Sequence, residues 1–432
     1  MSGRNRVGAA TRPFDDWARH PAPMDPRVLV EACAAIDLPA GGLVADPFCG
    51  SNRVGSFVVG RGERFLGIEA HPLIAEQAAV KLTRPGDPAD FRATADRLVR
   101  VATKLARDVV AAHEHALVRR WLTDAPLRKL VAIRSVLTAD AGPWEAHLLV
   151  ALLAVLRETV IGWPGGNPRA CSTLRDPFTR YLVRVGKMAD DLEQAPRSPV
   201  ASVICADSRA PGAWADVPSG SVSACVSSPP YLNQLCYAES MRLELYFLRR
   251  ASTWAELRLL GANLVASATQ QVCRSRAEEA RGTLDELPQA ADRVAALATL
   301  LDVERRRRAR RKRYDLLLPC YVADMAAVMR HLKRVLAPSA CVAWIVGDSA
   351  WYGIHIDTPA LVTTIAADLG FRVDDDRAIR RRGLHWPDAP RRHSLPLSEH
   401  LVLLRQGPPA AEQQLLFDAS QYQPAARISF AA

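Results

Sequence analysis

Two short stretches carry residue types and spacings suited to chemistry, and they lie far apart: Asp46-Pro47-Phe48-Cys49-Gly50-Ser51 and Ser228-Pro229-Pro230-Tyr231. The first follows the apolar run Leu43-Val44-Ala45 and precedes an apolar stretch through Val59, so it reads as a tight loop between a strand and a helix. At the carboxyl end of a strand in an α/β sheet, such a loop faces the ligand crevice, with helix amides turned toward it. Small residues there let a ligand approach the backbone closely. A second candidate strand, Arg64 to Ala70, ends with Glu69 about twenty residues beyond the loop, where a carboxylate can accept both hydroxyls of a ribose. Alone, Glu69 would be a solvated strand-end carboxylate; after this loop the ligand reading is preferred. His71-Pro72 then opens a helix, whose first position tolerates proline.

The second stretch suits an amino group. Ser221 to Ser227 alternates around Val222, Ala224 and Val226 as a partly buried strand, and the two prolines end it because they cannot continue a ladder. They stiffen the turn and present carbonyls with no competing local donor. An amino group conjugated to an aromatic ring is a poor nucleophile, since its lone pair is delocalised. Hydrogen bonds accepted at Ser228 Oγ and the Pro229 carbonyl would draw that nitrogen toward tetrahedral geometry. Tyr231 offers a flat surface, and a base out of its stack gains roughly 1 to 3 kcal/mol on an aromatic ring.

Together these segments resemble those of the bacterial DNA methyltransferases that modify amino groups, the N4-cytosine and N6-adenine enzymes. The matching residues are His20-Pro21-Ala22-Pro23-Met24-Asp25-Pro26, the Asp46 loop, Glu69, Asp207 at the end of the run Ser202 to Ala206, and Ser228 to Tyr231. Tyr321 to Asp348 is similar to the late helix and strand of that fold. The resemblance implies an α/β protein with a Rossmann-like S-adenosylmethionine-dependent methyltransferase sheet. Its cofactor, S-adenosylmethionine, would be held by Asp46, Pro47, Phe48, Cys49, Gly50, Ser51, Glu69 and, near the adenine, Asp207. Ser228, Pro229, Pro230 and Tyr231 would be catalytic, acting on an everted base of double-stranded DNA. Methyl transfer is then an in-line displacement that needs positioning more than covalent help. A leading serine favours cytosine N4 over adenine N6 by family association. A cognate restriction endonuclease is the further partner implied.

One departure matters. The family loop usually continues Gly-Ser-Gly-Thr, whereas this chain has Gly50-Ser51-Asn52-Arg53. Asparagine tolerates positive φ, so the turn can survive. Arg53 could meet a cofactor carboxylate or a phosphate, or mark weakened binding. Weakened binding would make the chain a non-catalytic DNA-binding subunit with a decayed loop; a further alternative is an RNA base methyltransferase of the same fold, which could use a similar proline-aromatic tetrad.

The elements that must position these residues leave long gaps. Residues 1–85, 200–250 and 315–407 read as the core, 86–199 and 251–314 as helical insertions, and 408–432 as a loosely ordered tail. Target recognition falls to an insertion or to the loops from Arg380 to His393. The 432 residues carry 56 Lys and Arg against 46 Asp and Glu, a net charge of +10 that suits a polyanion partner. Residues 305 to 313 concentrate it as Arg-Arg-Arg-Arg-Ala-Arg-Arg-Lys-Arg, with smaller clusters at Arg380-Arg381-Arg382 and Arg391-Arg392-His393. Trp351, Tyr352 and Trp386 near these clusters are expected in packing rather than on a base.

Nine cysteines show no CxxC pairing and no companion histidines, so neither a metal site nor a disulfide framework is expected. Pro319-Cys320 resembles the nucleophile pair of cytosine C5 methyltransferases, but its apolar setting predicts a buried thiol. The longest apolar run, Leu148 to Leu156, is too short to cross a bilayer, and no signal peptide opens the chain, so a cytoplasmic protein without membrane contact is expected. Oligomeric state is not legible.

Overall fold

Seven segments, mostly apolar or alternating, form one mixed sheet: β1 (Leu43–Asp46), β2 (Arg64–Glu69), β3 (Ala201–Cys205), β4 (Val222–Ser227), β5 (Leu336–Gly347), β6 (Phe371–Arg382) and β7 (Leu397–Gln406). The structure, a computed structural model, describes residues 13–18, 20, 23–36, 38–139, 142–161, 169–170, 176–194, 200–232, 236–382 and 396–407. Strand order is β3-β2-β1-β4-β5-β7-β6, with β7 antiparallel to both neighbours and the other strands parallel. That is the doubly wound order 3-2-1-4-5-6 with one antiparallel strand inserted. The chain leaves β1 for β2 and β3 on one side and returns to β4 on the other. Their carboxyl ends therefore flank the switch point, where a crevice opens.

Local chemistry sets the helices around this sheet. The carboxylate of Asp25 caps α1 (Pro26–Ala35), accepting from Arg27 N at 2.9 Å. The short α2 (Arg53–Val59) follows the β1 loop, and α3 (Pro72–Val80) begins with His71 as its cap and Pro72 at its first turn, as the sequence predicts.

The segment between β2 and β3 holds α4 (Pro88–Leu105), α5 (Asp124–Ala139), α6 (Glu145–Glu158) and α7 (Pro177–Gln194). Their shared core includes Phe91, Leu127, Leu148 and Tyr181, and it also takes in Phe14 and Trp17 from the start of the chain and Met241 to Phe247 from the segment after β4. The helices therefore form one packed unit with the residues that follow the proline turn. Burial of each such side chain contributes about 1.5–3 kcal/mol.

The second set, α8 (Arg274–Thr283) and α9 (Pro288–Arg307), packs on α10 (Tyr314–Val335), and α11 (Thr358–Asp368) lies beside them with Asp357 as its cap.

Cys320 is buried as its apolar setting predicts, and Pro319 and Cys320 both lie inside α10, whose residues Tyr314 to Val322 are all buried. Burial of that run outweighs the one hydrogen bond that proline cannot make near the helix start. Arg380 to Arg382 do not open a loop; they end β6, whose alternation is masked by charged outward-facing residues. Pro21, Ala22, Trp386, Arg391, Arg392, His393 and the 408–432 tail lie outside the described residues. Among those described, no helix is long and apolar enough to cross a membrane.

Candidate active site

Register brings the two predicted stretches together. β1 pairs with β4 through Val44 opposite Ala224 and Ala45 opposite Cys225, so the next residues on each strand meet at the sheet edge. There Ser227 Oγ donates to Asp46 Oδ1 at 2.5 Å, and the Phe48 amide donates to the same oxygen at 3.1 Å. Both side chains are buried. Burial pushes the Asp46 carboxyl up to about 7 despite these two donors.

The loop after Asp46 is tied to β2. Cys49 N donates to the Ile68 carbonyl at 3.0 Å, and Gly50 N donates to Glu69 Oε2 at 3.0 Å, while His71 N reaches Glu69 Oε1 at 2.8 Å. Gly50 sits at φ +49°, and a Cβ there would come within 3.2 Å of His20 Nε2, so glycine serves both the turn and the close approach. The Glu69 carboxylate keeps lone pairs for two further donors after its two amides. Burial raises it to about 7 as well. Neither Asp46 nor Glu69 forms an ion pair among the described residues.

The departure at Asn52-Arg53 has a structural explanation. Asn52 is fully buried at φ +60°, and its Nδ2 donates to the Ala78 carbonyl at 3.0 Å. Gly55 makes room for it, since a Cβ there would sit 2.0 Å from Asn52 Oδ1. Arg53 pairs with Asp15 at 3.2 Å and donates to the Met24 carbonyl, fastening the N-terminal segment across the loop. Lys81 Nζ donates to the Ser51 carbonyl at 2.6 Å, and burial lowers its ammonium to about 8.

These residues wall a cleft that is partly open to solvent. Asp46, Pro47, Phe48, Cys49, Gly50, Ser51 and Glu69 line it, with Ser228 and Pro230 from the proline turn and His20, Pro23 and Met24 from the N-terminal segment. Three predicted residues do not line it. Asp207 is held by Arg209, which approaches its carboxylate at 2.7 Å and bridges to Asp324 at 2.8 Å; Ser208 faces the cleft instead. Pro229 is absent from the lining. Tyr231 is 9% exposed, its hydroxyl 3.3 Å from Ser228 Oγ and its ring covered by the Arg382 guanidinium at 4.9 Å. Gly347 allows that packing, because a Cβ would lie 2.7 Å from the tyrosine ring.

Sequence reasoning missed Tyr237, Asn263, Leu264 and Val265, which line the cleft together with Arg53, Val54, Ile68 and Ala70. Tyr237 stands beside His20, ring centroids 5.7 Å apart. Its place six residues after the proline turn was the available signal. Asn263 to Val265 belong to an insertion and had none. Carboxylate acceptors, aromatic rings and apolar side chains share this wall, so the cleft can accept hydrogen bonds and pack against a flat ring. Among the described residues, no group of three or more His, Cys, Asp or Glu is placed to hold a metal ion.

Compared with known proteins, the chain matches no protein-family model and no curated protein.

Proposed function

We propose that the protein is an S-adenosylmethionine-dependent DNA methyltransferase acting on the exocyclic amino group of an everted base, with N4 of cytosine preferred over N6 of adenine. The observation that carries this reading is the junction of β1 and β4, where the Asp46–Ser227 hydrogen bond brings the glycine loop and Ser228 onto one cleft. The cleft fits such a cofactor. Glu69 has free lone pairs for ribose hydroxyls, Gly50 admits a close ligand, and Phe48 supplies an apolar wall.

When bound, the cofactor supplies an electrophilic methyl on a sulfonium. The chain does the positioning. Ser228 Oγ, on the cleft wall, would accept a hydrogen bond from the amino group and turn its nitrogen lone pair out of conjugation, and the Pro229 carbonyl, outside the lining, would be the second acceptor once a base is seated. Tyr231 stacks on the base once Arg382 leaves its face. Asn52 and Arg53, the basis of the decayed-loop alternative, have structural roles of their own and give that alternative no support.

The test is transfer of labelled methyl groups from S-adenosylmethionine to duplex DNA and to structured RNA, with long-read sequencing to identify the base. Ser228→Ala should lower the rate by about 10²–10³-fold, the scale for removing one such positioned polar group. Cofactor affinity by calorimetry should stay near wild type. Undiminished transfer in Ser228→Ala and Tyr231→Ala overturns the base site, and absence of cofactor binding with and without DNA overturns the whole reading.

A further inference from the structure

The basic block 305–313 does not act as one charge. Arg305 and Arg306 pair with Asp302 at 2.6 Å, Arg307 and Arg308 with Glu304 at 2.8 and 2.9 Å, and Arg313 with Asp315 at 2.5 Å. Arg310 and Arg311 form no ion pair among the described residues, and Lys312 meets only the Tyr314 ring at 5.9 Å. All three are exposed. Five arginines thus close on their own carboxylates, and three neighbouring cations are left over.

The backbone shapes this remainder into a tip. Ala309 takes φ +49°, and the Arg310 amide reaches back to the Arg305 carbonyl at 3.0 Å, so α9 ends in a sharp reversal. Opposite stands the hairpin Ser349–Trp351 and Ile354–Ile356, turned by Tyr352 at φ +54° and Gly353 at φ +82°. The Tyr352 hydroxyl donates to the Lys312 carbonyl, and Trp351 stacks on Tyr314 with centroids 4.7 Å apart. The helix cap at Ala309 and the hairpin turn at Tyr352 thus fix the two segments that make one contact.

The same hairpin is clasped to the proline turn, since Ser349 Oγ donates to the Leu232 carbonyl at 2.6 Å, one residue past Tyr231. The insertion that ends in the tip also lends Asn263 to Val265 to the cleft.

We propose that the loop Ala309–Lys312, braced by the 349–356 hairpin, is the phosphate-binding surface that seats duplex DNA over the cleft, and that Arg310, Arg311 and Lys312 make the contacts. This rests on the methyltransferase reading for its choice of partner. Exposed cations without ion pairs neutralise phosphates and release counterions, so they set the salt dependence of binding without reading sequence.

Anisotropy of a labelled duplex, titrated with the full chain across a range of salt, tests the surface without any catalytic readout. Each of Arg310→Ala, Arg311→Ala and Lys312→Ala should lower the slope of log affinity against log salt by about one, and the triple variant by about three. In parallel methylation assays the triple variant should raise KM for DNA with kcat nearly unchanged. The double variant Arg120→Ala/Arg128→Ala, exposed arginines in the other insertion, should keep the wild-type slope. An unchanged slope in the triple variant, an equal loss in the double variant, or a loss seen only with an RNA hairpin overturns the proposal. Slope losses as stated in a protein that transfers no methyl would uphold the surface and sink the methyltransferase reading.

Discussion

Two regions of the molecule bury carboxylates and treat them in opposite ways. In the helical unit, Glu114 faces Arg134 at 2.6 Å and Arg249 at 2.8 Å, and Glu244 is gripped by Arg157 through both oxygens. In the cleft, Asp46 and Glu69 meet only neutral donors among the described residues. Burial pushes the Glu114 carboxyl up, but Arg134 and Arg249 outweigh it and hold the group below the usual range. The cleft carboxyls have no such partner and rise to about 7. The difference separates architecture from function: a paired buried charge ties elements together, while an unpaired one beside a cavity is available to a ligand. Arg134 also bonds the Phe247 carbonyl and Arg157 the Ser240 carbonyl, so the paired charges hold the segment that presents Tyr237 to the cleft.

The comparison breaks most visibly at Glu114. Its replacement by alanine leaves Arg134 buried without a counter-charge and should cost about 3–5 kcal/mol in denaturant unfolding, the scale for breaking a buried pair. Cofactor binding should survive at low temperature. A loss below about 1 kcal/mol would place this pair with ordinary surface bridges.

Melting temperature against pH sharpens the contrast. The raised carboxyls of Asp46 and Glu69 support the fold in acid and lose that support as pH climbs through about 7. Glu114, held low, supports it at neutral pH and loses that support as pH falls below the ordinary glutamate range. The cofactor-free protein should therefore melt lower at about pH 8 than at about pH 6, and Asp46→Asn with Glu69→Gln should flatten that limb alone. Cofactor affinity should rise over the same interval, since an ionised Glu69 accepts hydroxyl protons more strongly. A flat limb in the wild type removes the poised carboxylates from the argument.

The smallest effect belongs to Ser227. Ser227→Ala deletes one donor to Asp46, costs roughly 0.5–1.5 kcal/mol, and lifts the Asp46 midpoint further. An unmoved midpoint in the pH profile would assign the titration to Glu69.

Much of the site was legible because its signals are local. The strand, loop and helix around Asp46, the Glu69 terminus, the His71-Pro72 helix start and the proline turn each rest on residues within a few positions, where backbone chemistry decides. What was not legible spans the chain. β6 was hidden because its outward-facing arginines and aspartates mask the alternation. Tyr237, six residues past the proline turn, left only that proximity as a signal, and Asn263 reaches the cleft through packing that no spacing announces. Arg53, ambiguous in sequence, pairs with Asp15 and bonds Met24 once the N-terminal segment folds over the loop.

By itself the sequence determined which residues could accept hydrogen bonds and which could stiffen a turn or offer a flat ring, because those capacities belong to side-chain type and short-range geometry. Only the tertiary structure decided that they share a cleft, through a hydrogen bond between residues 181 positions apart. It also decided that five arginines of the basic block close on their own carboxylates while Arg310, Arg311 and Lys312 form no ion pair among the described residues. The physical reason is the same in both cases: pairing energies fall off within a few ångströms, and only the folded sheet sets which groups come that near.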